Sequence, residues 1–520
     1  MLIKIKNFKK VFPFNFKHSK SKKNYGILIG DRIQTDANLR SLILANIIKK
    51  KYDCNSYLVS DVNDKKNIPV YNNIDIKNYS INLKFKNFKY FFIFLISLYD
   101  LFKFYFKTLF VSDKIEWLIK NFKCKKIKIG DLVYDIYIRY DLKFLDPSIY
   151  EIKFFKSLFI GILKTHFIDH LVKKYKIRYI VSTQMSFTSY GNLISRYGTK
   201  LKIKTFTTAY NFVIKFKNHQ ETLTNPFKIR KDKIERNLKK ISNKKIEKFY
   251  NLRKKGKLYG SYVPINTIRK IYGLSEDSKI VKFTKKINNI KKNHEVNLLA
   301  LHCFSDSPHF CADMIFRDYY DQFLQTINFI RNNNKKTFWI IKPHPSRSQY
   351  HEEGIIEKVI YRYKSELENV ILCPEKINNS TLFKLSDNLI NCVSTISLEF
   401  ACYGKKSIIA GDAPYFHKDL FFKPKSKTDY FNLIENLDKL KTKLNSKQII
   451  LAKRILYLIE KEANINLEKS KLLPDTTLIK MNEIEYLKNL NKNIDKSNSS
   501  SILNDPLYKS LHTQLSKIIF

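Results

Sequence analysis

The chain is poor in the residues that mark several protein classes. Among 520 residues it has only 12 Gly and 13 Pro, which excludes a collagen-like or Gly/Pro-rich linker protein. Arginine is scarce, with 14 Arg beside 82 Lys, although Arg is the residue that base and phosphate recognition favours. The seven cysteines are odd in number, scattered, and contain no C-x-x-C pair. A disulfide framework is therefore not expected, and a reducing compartment fits best. His302, Cys303, His309 and Cys311 cluster at a spacing that matches no usual zinc pattern, so no metal site is expected. Acidic residues number 47 against 96 basic ones, a formal charge of +49.

That charge invites a nucleic-acid reading, but the excess is Lys, in company with much Ile, Asn, Phe and Tyr. An AT-rich coding sequence produces this bias whatever the protein does. Sequence-specific nucleic-acid binding is not expected, whereas weak attraction to anionic membranes or anionic polymers is. With 44% hydrophobic and 14% aromatic residues, the chain can fill large cores, which rules out wholesale disorder. Its length requires two or more domains of ordinary size.

The N-terminal residues 1–23 are basic but lack the apolar run of a secretory signal. The most apolar window, Tyr90 to Phe106, is interrupted by Asp100 and Lys103. Its uncharged part falls short of the roughly 20 residues a spanning helix needs. A buried helix of the first domain is the favoured reading. A helix lying in a membrane interface, with flanking lysines on phosphates, is the alternative.

The organisation is read from alternating apolar runs. "YGILIGD", "SYLVSD", "RYIVSTQ" and "LKIKTFTT" read as strands between helical stretches, the start of a doubly wound α/β domain. Between residues 296 and 410 the rhythm is clearer, with "VNLLALHCF", "TFWIIKPHP", "NVILCP", "NLINCVS" and "KKSIIAG" as strands alternating with four helices. That is the signature of a parallel sheet covered on both faces. The expected division is a basic arm at 1–23, a first α/β domain with its linker at 24–294, and a second, Rossmann-like domain at 295–430. C-terminal helices follow at 431–489, then a tail at 490–520 that opens on a flexible linker.

Ligands on such sheets sit at the carboxyl ends of the strands. The sharpest signal there is "KPHPSRSQY", in which Pro343 and Pro345 hold His344 in a rigid extended loop beside Lys342. A rigid His suits a phosphate or departing oxyanion, as hydrogen-bond donor or general acid. In "CVSTISLEFACYG", Ser394 and Thr395 open a helix, where they could cap it or bind a phosphate. Glu399 lies one turn on, placed to accept from ribose hydroxyls. In "HCFSDSPHF", His302, Asp306 and His309 are candidate donor or substrate contacts. Asp31 and Asp131 are candidates for a catalytic base by position alone.

The strings "HCFSDSPH", "RDYYDQFLQTI", "WIIKPHPS", "STISLEFACYGKKSIIAG" and "APY" resemble the capsule and surface polysaccharide biosynthesis proteins, as does "IGDLVYDIYIR" upstream. That family includes transferases using CMP-activated Kdo. The resemblance implies two doubly wound Rossmann-like domains facing a cleft, GT-B-like, and a glycosyltransferase. It implies that His344 contacts the nucleotide phosphate and that Ser394, Thr395 and Glu399 complete the site. Members often read Gly-Thr where this chain has Ser394-Thr395. The expected partners are a nucleotide-sugar donor and a polysaccharide or glycolipid acceptor, with no cofactor and no metal. The expected location is cytoplasmic, with peripheral contact at the inner face of an anionic membrane as its variant. Two alternatives stand beside this reading: a CDP-polyol phosphotransferase of the teichoic-acid type, and a non-enzymatic binder of anionic polymer.

Overall fold

The computed structural model describes residues 11–12, 25–30, 35–60, 76–80, 88–139, 142–183, 190–209, 212–223, 241–254, 278–310, 314–333, 337–375, 377–413, 415–458, 470–474, 483–497 and 501–519. The chain divides into two compact units. The first comprises Met1–Tyr137, Ser148–Pro226 and Asn464–Phe520, and the second Ile138–Pro147 and Phe227–Ala463.

The first unit is built on β1 (Gly26–Gly30), β2 (Asn55–Ser60) and β3 (Lys77–Ser80), then, after a small antiparallel pair β4 (Lys123–Cys124) and β5 (Ile127–Lys128), on β6 (Ile177–Thr183), β7 (Lys204–Ala209) and β8 (Phe212–Lys215). The sheet order is β3-β2-β1-β6-β7-β8, parallel except for the final β7–β8 pair. The helix Thr35–Tyr52 packs on it and buries Leu39, Leu42, Ile43 and Ile47. This is a doubly wound domain, as the alternation predicts.

The second unit carries β9 (Glu295–Ala300), β10 (Thr337–Lys342), β11 (Val370–Leu372), β12 (Asn388–Asn391), β13 (Ser407–Ile409) and β14 (Phe421–Phe422). All pairs are parallel, in the order β11-β10-β9-β12-β13-β14. Side chains alternate across the sheet. Val296, Leu298, Phe338 and Ile340 join one core with Phe283, Phe383 and Phe400, and Trp339 on the other face is fully buried. Burial on both faces is why these strands read as continuous apolar runs. The five strands predicted here are all present. The sixth, β14, is only two residues long and leaves no pattern to read.

Several expectations are corrected. Val11 and Phe12, assigned to a basic arm, are buried in the first unit's core. Helix continues past 489 to Asp495, into the expected linker, and the expected tail is helical at Pro506–Ile519, with Leu490, Ile494, Leu511 and Leu515 in that same core. Their apolar residues recur at helical spacing, which outweighs the polar composition. The C-terminal segment thus completes the first unit, and residues 138–147 belong to the second: Phe144 packs on Phe304 and Tyr320. The apolar window forms the helix Phe88–Thr108, but it is not a buried helix. One stripe is buried and the opposite face is exposed.

Candidate functional site

The connections from β9 and β12 leave in opposite directions, so the crevice outside their carboxyl ends is the switch point of the second sheet. Three loops meet there, following β9, β10 and β12.

Lys342 is the last residue of β10 and is 6% exposed. No carboxylate of a described residue pairs with its ammonium. A positive charge at the crevice without a carboxylate partner among the described residues suits an anionic ligand. His344 follows in the Pro-stiffened loop, half-buried. Its Nδ1 accepts from the Ser346 backbone N–H at 3.2 Å and lies 3.0 Å from Cys303 Sγ. Burial pushes the Cys303 thiol up, so it stays protonated and can donate as well. With Nδ1 an acceptor, the neutral ring carries its proton on Nε2. Burial, then His302 and Lys342, push His344 down to about 3. At neutral pH it is therefore an uncharged hydrogen-bond donor, rather than an imidazolium acid.

The ring of His302, after β9, stacks on Tyr319 and on His344, with centroids 4.2 and 5.3 Å away and interplanar angles of 17° and 18°. Burial lowers its pKa. Its Nδ1 stands 4.0 Å from Asp306 and makes no hydrogen bond to a described residue. The Ser307 hydroxyl is also buried, with no hydrogen-bond partner among the described residues, on a residue whose φ is 50°. Unmet polar atoms around one crevice suit a ligand better than a closed core. Asp306 accepts from the Tyr350 hydroxyl at 2.7 Å and lies 3.6 Å from Arg139, whose guanidinium covers the Tyr350 ring. Arg139 ends the helix formed by the "IGDLVYDIYIR" string. His309 sits in the short turn Pro308–Phe310 of the same loop.

The β9 loop is held by a residue that sequence reasoning did not single out. Glu352 is 2% exposed and accepts from the Phe304 and Ser305 backbone N–H groups and the Ser305 hydroxyl, at 2.7–2.9 Å. Glu352 is a positioning residue. No spacing rule in the sequence announces it.

After β12, Ser394 and Thr395 precede the helix Ile396–Cys402. That helix has seven residues and Thr395 makes no side-chain cap bond, so neither a dipole nor a capping argument applies. The Ser394 carbonyl is fixed by the Ser397 N–H, the Asn391 amide and the Tyr415 hydroxyl. Its φ is negative, so Ser fits there without strain. Gly411 in the neighbouring loop approaches closely: a Cβ there would lie 2.6 Å from Val393.

Glu399 is buried and engaged. Its Oε1 accepts from Arg253 Nε and Nη2 at 3.2 and 2.9 Å, and its Oε2 from Asn379 at 3.0 Å. Asp131 likewise gives both oxygens to Arg196 at 2.7 and 2.8 Å, which makes it half of a buried ion pair in the first unit rather than a poised base. Asp31 and Cys311 lie outside the described residues. Among the described residues, one trio of metal-type side chains converges: Asp100, Cys124 and His166 in the first unit. His166 Nε2 bonds Asp100 at 2.8 Å, and the Cys124 thiol, pushed up by burial and by Asp100, lies 3.6 Å from the same oxygen. Hydrogen bonding accounts for this trio.

A search of curated proteins finds no match. Among solved structures, the chain is similar to the Thermosulfurimonas dismutans KpsC beta Kdo 2,4 transferase, at 15% identity over 54% of this chain and 79% of that one, with a TM-score of 0.27. A glycosyltransferase from Rickettsia africae matches at 11% identity over 95% and 98%, with a TM-score of 0.27. The UDP-GlcNAc 2-epimerase from Neisseria meningitidis matches at 12% over 84% and 98%, with a TM-score of 0.26. The family model described as capsule polysaccharide biosynthesis protein matches residues 205–420, which hold all three loops of the crevice. The matched stretch is less than half of the chain, and its family is the one that the motif strings resemble.

Proposed function

We propose that the protein is a GT-B-type glycosyltransferase of capsule or surface polysaccharide synthesis. It takes a nucleotide-linked sugar, CMP-linked in the reading we favour, on the second unit and a glycan or lipid-linked acceptor on the first. The single observation that carries this is Lys342: a lysine without a carboxylate partner among the described residues, at the carboxyl end of β10 beside the neutral donor His344. A diphosphate or phosphate diester supplies the missing anion, and the hydroxyls of Ser394 and Thr395 stand after β12, on the other side of β9. His302 and the Ser307 hydroxyl face the same ligand in this reading. Holding the donor in place and stabilising the leaving phosphate supply the catalysis.

The test is a thermal-shift panel of CMP-, CDP-, UDP- and GDP-linked compounds on the intact chain, with and without EDTA. One class is expected to raise the melting temperature, since a ligand that binds only the folded state stabilises it. The rise is expected to persist in EDTA and to be largely lost in Lys342→Met. Stabilisation by all four classes alike, or by none, overturns the reading. A CDP-polyol as the only stabilising ligand would move the assignment to polyol-phosphate transfer.

A second outcome separates a neutral donor from an acid. A His held near 3 stays uncharged at every working pH. The pH profile of turnover is therefore expected to show no inflection from His344 across roughly pH 5 to 8. Profiles of wild type and His344→Gln decide this: a limb near the ordinary imidazole value, present in the first and absent from the second, would make His344 an imidazolium acid.

A further inference from the structure

The helices Phe88–Thr108 and Ile152–Lys174 of the first unit pack antiparallel, Tyr105 stacking on Phe155 and Tyr90 meeting Phe167. The first helix buries a single stripe of Ser97, Leu101, Phe104 and Thr108. On its other side Phe92, Ile96, Tyr99, Phe102 and Phe106 recur at helical spacing and lead on to Phe110. Phe102, Phe106 and Phe110 are 71%, 64% and 76% exposed. The start of the second helix adds exposed Ile152, Phe155 and Ile160. A groove of about 510 Å³ runs between Tyr105, Tyr150, Ile152, Phe155 and Lys156. No described residue covers this face, and soluble monomers rarely expose so large a contiguous apolar patch.

Charge identifies the occupant. Lys103, Lys107, Lys153 and Lys156 are exposed on the same two helices. The one acid in the first helix, Asp100, is turned to His166. A protein partner would need acids placed opposite these lysines and an apolar surface between them. An anionic bilayer presents both as a continuous medium, phosphates at the headgroups and acyl chains beneath. No helix among the described residues is long and apolar enough to cross a membrane, so the face would lie on the surface. The net charge of +49 adds long-range attraction of the same sign.

We infer that this two-helix face docks the protein on an anionic phospholipid bilayer, with Phe102, Phe106 and Phe110 at the acyl boundary and the four lysines on lipid phosphates. The inference stands on the surface itself and does not depend on the sugar-transfer reading.

The experiment is co-sedimentation of the full chain with phosphatidylcholine vesicles, with and without phosphatidylglycerol. Binding to the anionic vesicles is expected. The triple substitution F102S/F106S/F110S is expected to lose on the order of 100-fold in partitioning. Removing Lys103, Lys107 and Lys156 should cost about five-fold per charge on anionic vesicles and leave a shallower salt dependence. These side chains are exposed, so circular dichroism and any nucleotide-induced thermal shift should be unchanged. Absence of binding by the wild type, or equal binding by the triple variant, overturns the inference. So does a wild-type dimer in sedimentation that the triple variant dissolves, because the face would then join two copies of the chain.

Discussion

Alanine at His344 is expected to lower turnover of sugar transfer by about 100-fold, with a smaller change in donor affinity. The ring's Nδ1 is occupied by the Ser346 N–H and the Cys303 thiol, so the group available to a ligand is the Nε2–H. A fixed neutral donor aimed at a leaving phosphate gains most as charge develops there, which lowers the barrier more than it tightens the ground state. The variant should fold, because the side chain is half-buried and the loop keeps Pro343 and Pro345. His344→Gln should recover part of the loss, since an amide can donate from nearly the same place. Steady-state kinetics on donor and acceptor, with circular dichroism as control, give the answer. Unchanged turnover in a folded His344→Ala would leave the loop a structural turn.

What the sequence reveals of this site follows from what kind of contact each residue makes. β9, β10, β12 and β13 are legible because a strand buried on both faces is largely apolar, and "NLLA" or "WII" can hardly be anything else. β3, "KNYS", and β14, "FF", carry no such run and take their place from neighbouring strands. The rigidity of His344 is written in its two prolines. Its tautomer is not, because Cys303 is 41 residues away in sequence. The apolar character of the helix Phe88–Thr108 is equally plain. Which of its faces is covered depends on the helix Ile152–Lys174, and composition does not encode that.

Arginine was the unused signal. In a chain where Lys outnumbers Arg by 82 to 14, several of the arginines stand where a planar fork is useful. Arg139, Arg196, Arg253, Arg317, Arg331 and Arg347 each meet a carboxylate. Arg253 lies in a Lys-rich stretch without a motif, 146 residues from its partner Glu399. Its scarcity was the only mark it carried.

That partner yields the other large expected effect. Glu399 reads from sequence as a ribose ligand whose Gln substitution would weaken donor binding and leave the fold intact. The structure makes it the counter-ion of a buried Arg253, with Asn379 on its second oxygen. Removing one member of such a pair strands the other charge away from water, a cost of about 3–5 kcal/mol. Glu399→Gln is therefore expected to lower the urea midpoint of the second unit by an amount corresponding to several kcal/mol, before any effect on ligands is seen. Replacing both partners with apolar side chains, R253M/E399L, should recover most of that loss, because no buried charge is then left alone. The helix Ile396–Cys402 carries Glu399 and begins directly after Ser394 and Thr395. Loosening the pair should thus also raise the donor KM through movement of that loop, and R253M alone should raise it as E399Q does. A ribose ligand would behave otherwise: E399Q would weaken donor binding at an unchanged urea midpoint, and R253M would leave the donor KM where it was.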